Sequence, residues 1–174
     1  MNRIFGTKTE IRALANLGLD PAALEFLKNE SIEVEFCDLQ PPEYGFYAWH
    51  PDTDPVIGLA HRLKFDRVML RCVLWEGLGY HATAPELLRQ TPFVLRSTMS
   101  RGGPDALENA ALRWAAAQLI SRVEIRWWLR KGGGSLDEFA TAFKVTPEIA
   151  HERLNSLPAA FPGLREWLKS ELEP

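Results

Sequence analysis

Residues 71–83 read Arg-Cys-Val-Leu-Trp-Glu-Gly-Leu-Gly-Tyr-His-Ala-Thr, inside a stretch from Asp66 in which the apolar period turns helical. Met69, Cys72, Val73 and Tyr80 fall at i, i+3, i+4 and i+11, on one stripe of such a helix. Glu76 falls on the same stripe, at i+7. An ionised carboxylate on a core-facing stripe must be paired, metal-bound or protonated. Glu76 is therefore the residue whose partners decide what this helix does.

Before this helix the chain alternates short elements. Ile11–Leu19 is apolar-spaced and stopped by Gly18 and Asp20. Asp20-Pro21 reads as N-cap and first residue of a helix over Pro21–Asn29, with Leu24, Phe26 and Leu27 near one face. Ile32–Phe36 alternates apolar and acidic residues, the pattern of a half-buried strand. Pro41-Pro42 breaks the chain, and Gly45–Trp49 and Val56–Ala60 are short strands separated by a turn over Asp52–Pro55.

After it, Ala84–Gly103 reads as a long loop holding Thr91-Pro92 and Arg101-Gly-Gly-Pro104. Pro104-Asp105 opens a second strong helix through Leu107, Ala111, Trp114, Ala115 and Leu119, with Glu108 one turn in. A short aromatic helix follows over Val123–Leu129 and ends at Gly132-Gly-Gly134. Ser135 with Glu138 forms a capping box for the next helix, and Val145-Thr146-Pro147 starts another, the spacing of a helix-turn-helix. A last amphipathic helix is expected over Leu164–Leu172. The fold class expected is α+β, mainly helical, with a small antiparallel sheet and a helix-turn-helix-like C-terminal element. The expected division is a domain over 1–131 and a helical element over 132–174.

Composition narrows the class. Hydrophobic residues make up 46 % and charged residues 25 % of 174, which suits a packed globular chain. No signal peptide and no membrane span is legible, so a cytoplasmic protein is expected. Cys37 and Cys72 sit in apolar contexts as buried thiols rather than a disulfide. Residues 62–131 hold twelve Lys/Arg against six Asp/Glu, between flanks that are net acidic. That +6 is either neutralised on folding or presented as a basic face to an acidic partner.

The segment 71–83 resembles the active-site helix of the ImmA/IrrE family of zinc metallopeptidases. Glu108-Asn-Ala-Ala-Leu-Arg-Trp-Ala115 is similar to the family's second helix, and the pair 136–143 and 145–154 resembles the helical element that follows its peptidase core. The resemblance implies a zincin-like fold. In the parent HExxH motif, ligands at i and i+4 face one metal, the glutamate at i+1 is the general base, and a third ligand comes from a downstream helix. Laid on this chain, the ligand positions are Glu76, Tyr80 and Glu108, and the general-base position is Gly77. Glycine can move no proton, and a phenol is a poor zinc ligand at neutral pH. His81 is a rescue ligand only by a register shift. Five residues turn a helix by about 500°, so Glu76 and His81 point roughly 140° apart.

Three readings of the trio stay open: a hydrogen-bonded relic, a weak metal site, or a working zinc site. Expected cofactors are accordingly none or weakly bound zinc. The resemblance implies a catalytically impaired regulator that binds a helix-turn-helix repressor in a prophage, mobile-element or stress-response circuit. The alternatives are an active metal-dependent endopeptidase cutting such a repressor, and a DNA-binding or structural module. Lys144 and Arg153 face Asp137, Glu138, Glu148 and Glu152 within 135–157, so nucleic acid is not the expected partner. Most of the six tryptophans, which include Trp127-Trp128 and Trp167, are expected in the core, while a Trp-rich terminal helix also offers a homodimer or partner surface. His50, His61 and His151 read as surface histidines, and Lys131–Ser135 as a helix stop rather than a phosphate loop.

Overall fold

The computed structural model describes residues 7–9, 11–86, 88–98 and 106–158. The expected helix over 164–172 and the helix start at 104–105 lie outside the described residues. Within them the fold is α+β, as the periodicities indicate.

The strands are β1 (Thr7–Lys8), β2 (Glu33–Cys37), β3 (Gly45–Trp49), β4 (Val56–Ala60) and β5 (Phe93–Ser97), in the order β1-β2-β4-β3-β5. The helices are α1 (Ile11–Asn16), α2 (Pro21–Asn29), α3 (Arg67–Thr83), α4 (Ala106–Leu119), α5 (Arg122–Arg130), α6 (Leu136–Phe143) and α7 (Pro147–Asn155). A 3-10 turn over His61–Phe65 leads into α3, where the Asp66 side chain accepts from the Met69 amide at 3.0 Å.

Two expectations need correction. The sheet is not wholly antiparallel: β2 runs parallel to β4, while the other pairs are antiparallel. The connection after β2 carries the chain one strand position past its neighbour. The β3–β4 hairpin then folds back into the gap, which sets β4 beside β2 in the same direction. The stretch Ala84–Gly103 is not all loop, because it contains β5. Phe93, Leu95 and Ser97 alternate with the more exposed Val94 and Arg96, a period of two within a turn-rich segment.

The register defines the face that covers α3. Tyr47 pairs with Ile57 and Leu95, Ile57 pairs with Val34, and Gly45 pairs with Leu59 and Ser97. These side chains therefore share one face of the sheet. From Cys72 to His81 every residue of α3 is buried, and Leu70, Leu74 and Leu78 have no exposed surface. A helix apolar nearly all round is an interior helix, and each such leucine contributes roughly 1.5–3 kcal/mol relative to an exposed one. The sheet covers one side of α3, and α4 crosses the other.

Two glycines make these approaches. A Cβ on Gly77 would stand 3.0 Å from Ile57 of β4, and a Cβ on Gly79 would stand 2.4 Å from the Ala111 carbonyl oxygen of α4. Asp20 holds the start of α2 to α3. It occupies the N-cap position, but its carboxylate accepts from Arg71 Nε at 2.7 Å and Trp75 Nε1 at 2.9 Å instead of capping α2.

The C-terminal helices are caught in the same core. The capping box at Ser135 and Glu138 forms as the sequence indicates. Thr146 caps α7 through the Ile149 amide. Arg71 Nη1 donates to the Phe143 and Lys144 carbonyls at 3.0 Å. Arg153 of α7 is buried and donates to the Ile120 carbonyl at the end of α4, at 2.7 Å. Among the described residues no helix is long and apolar enough to cross a membrane.

Glycine to alanine in a helix interior ordinarily stabilises by about 1 kcal/mol. At Gly79 the sign is expected to reverse, with a loss of about 2 kcal/mol or more in urea denaturation, because the obstruction is backbone. Stabilisation of Gly79→Ala would show that α3 and α4 do not meet at this point.

Candidate functional site

Glu76 leaves α3 on the side where β5 and the first turn of α4 come together. It is 1 % exposed. The Ser97 hydroxyl of β5 donates to Glu76 Oε2. The Tyr80 hydroxyl, one turn further along α3, has two acceptors within reach of its single proton, the Glu76 carboxyl and the Arg96 carbonyl at 3.4 Å. Glu108, in the first turn of α4 and half-buried, is near enough for its charge to act on Glu76. The three expected positions, 76, 80 and 108, thus converge from two helices, and the strand adds Ser97 as a fourth member.

The electrostatics of this cluster favour a proton on Glu76. Burial, with a smaller push from the neighbouring Glu108 charge, raises its pKa from the ordinary 4.5 to a net value of about 7. The hydrogen bonds from Ser97 and Tyr80 oppose the shift without cancelling it. Near neutrality the carboxyl is therefore partly protonated, held among hydroxyl groups rather than cations.

The chain matches no family model, no curated protein and no solved structure.

Gly77 takes no part in the cluster. It turns to the sheet, against Ile57, which is 1 % exposed. His81 has different company from Glu76. Its Nδ1 shares a hydrogen bond with the Tyr47 hydroxyl at 3.0 Å, and its Nε2 lies 3.5 Å from Glu30 of the α2 C-terminus. Phe26, Tyr47 and Trp49 surround the ring. Arg89 donates to the His81 carbonyl at 2.5 Å. Burial lowers the His81 pKa, and the partial help of Glu30 does not reverse this. The imidazole is thus a neutral, packed group. Burial likewise pushes the Tyr47 hydroxyl up to about 12 and the Cys72 thiol up to about 11, so neither is an ionised nucleophile near pH 7.

The remaining histidines lie at the surface or half-buried. His50 is 3.8 Å from Asp52, His61 stacks on Phe36, and His151 pairs with Asn155 along α7. Cys37 and Cys72 are buried and not joined to each other in a disulfide. Among the described residues no group of three or more His, Cys, Asp or Glu stands in metal-holding geometry. Sequence reasoning missed Ser97, Tyr47 and Glu30. Only Ser97 had a signal, the alternation over 93–97.

The proton on Glu76 has a consequence for stability. The unfolded chain loses it near pH 4.5, the folded chain near 7. Between these values the native state binds the extra proton, so stability falls as pH rises across that window. The contribution is on the order of 3 kcal/mol. Glu76→Gln, neutral throughout and still able to accept from Ser97, should remove this slope. Urea denaturation at several pH values should show the variant gaining on the parent from pH 4.5 to 7. Parallel curves would mean that Glu76 titrates as an ordinary glutamate.

Proposed function

We propose that this chain is an ImmA/IrrE-like protein of metallopeptidase fold that has lost catalysis and acts as a regulator by binding a protein partner. The partner class it suggests is a helix-turn-helix repressor, in a prophage, mobile-element or stress-response circuit. The observation that carries the loss of catalysis is Gly77: at the position of the general base there is no side chain, and the space beside it is filled by Ile57. Restoring a glutamate there would drive it into the sheet.

The remaining chemistry supports the same reading. The residues present do not fit a catalytic zinc ion. They offer two carboxylates and a phenol with no imidazole, and Glu76 already accepts from Ser97 and Tyr80. His81, the one imidazole nearby in sequence, is engaged with Tyr47 and Glu30. Hydrogen bonds and a proton are enough to satisfy the buried carboxyl. What supports descent from a metal site is the i, i+4 pair Glu76 and Tyr80 facing Glu108 of the next helix.

Mass-spectrometric metal analysis of protein purified without added metal tests the loss of catalysis. The expected zinc content is far below one ion per chain, and stoichiometric zinc would overturn the reading. Tyr80→His tests the descent. An imidazole one helical turn from Glu76, with Glu108 near that carboxyl, should gain measurable zinc binding in calorimetry, and a variant that folds yet binds none would remove the argument that this trio is a former ligand set.

A further inference from the structure

Helix α5 carries a face that the Glu76 site does not use. Its inner side is anchored by Ile125 and Trp128, with Trp128 packed edge-on to Phe139 of α6. On the opposite side Val123 is 76 % exposed and Trp127 is 60 % exposed. At about 100° per residue these two are roughly 40° apart, one above the other on the outward stripe. Arg122, Arg126, Arg130 and Lys131 surround them and are all exposed. The Lys131 ammonium sits 5.1 Å from the centre of the Trp127 ring, which pre-orders the indole. The only acidic residue on this helix, Glu124, is engaged in the capping box with Ser121. On a chain of net charge −3, this is a concentrated cationic surface with an apolar centre.

We propose that the outer face of α5 is a docking surface for an acidic amphipathic helix of a protein partner. Charge complementarity sets the sign of the partner. The pair Val123 and Trp127 sets its form, because two apolar side chains one turn apart match the apolar stripe of a facing helix. Tryptophan and arginine are also the residue types on which protein interfaces concentrate their binding energy. A bilayer is disfavoured, since two apolar side chains insert little area. Nucleic acid is disfavoured, since one exposed indole offers a single stacking platform. The surface shares no residue with the Glu76 cluster, so its test can fail without affecting that reading, and the reverse.

The test uses the full chain and a fluorescent synthetic amphipathic peptide of glutamate and leucine, read by anisotropy. Binding is expected at low salt, weakening as salt is added. Trp127→Ala and Arg130→Glu should each weaken it about tenfold or more. Phe65→Ala, which removes an apolar side chain 93 % exposed elsewhere, should leave it unchanged. Phosphatidylserine–phosphatidylcholine vesicles and a single-stranded oligonucleotide should not displace the peptide. The proposal is overturned if the peptide does not bind, if both α5 variants that fold bind it as the parent does, or if vesicles or oligonucleotide displace it.

Discussion

The close crossing of α3 over α4, where the Gly79 backbone meets the Ala111 carbonyl, governs the rest of the structure. With α4 on one side and the sheet on the other, α3 has no solvent face from Cys72 to His81. Any polar group it carries there must be satisfied from within the protein. Glu76 meets this demand through Ser97 and Tyr80, and by keeping its proton to higher pH. His81 meets it through Tyr47 and Glu30 and by staying neutral. The two groups respond to pH with opposite sign. Protonation is favoured in the folded chain at Glu76 and disfavoured at His81, so part of each dependence offsets the other.

The same enclosure explains Gly77. In the parent arrangement the residue after the first ligand carries the base, and it needs room on the helix surface. Here the helix lies so near β4 that a Cβ at this position would already press on Ile57. On the proposed reading, loss of the base and close helix–sheet packing are one and the same change. On the same reading, the former site has become part of the core, and interaction with other molecules is left to outer surfaces such as α5.

Much of this was legible in the residues. Pro21–Asn29, the Ser135–Glu138 capping box and the continuous α3 period are local signals, and local signals survive folding. The meeting of positions 76, 80 and 108 followed from helical spacing together with a family resemblance. What was not legible is non-local. The parallel pairing of β2 with β4 depends on which strand fills a gap in the sheet. The use of Asp20 by Arg71 and Trp75 overrides its local role as a cap. Ser97 lay in a segment whose prolines and glycines hide a five-residue strand. The partners of His81 come from α2 and β3, which no spacing on α3 could name.

On the proposed reading, Glu76 is a buried, hydrogen-bonded carboxyl that takes no metal. This is tested most directly by following the carbon-13 shift of its side-chain carboxyl through a pH titration, with and without equimolar zinc. The account predicts a midpoint near 7 that zinc leaves in place. A midpoint in the ordinary glutamate range, or one that zinc drives sharply downward, would contradict it.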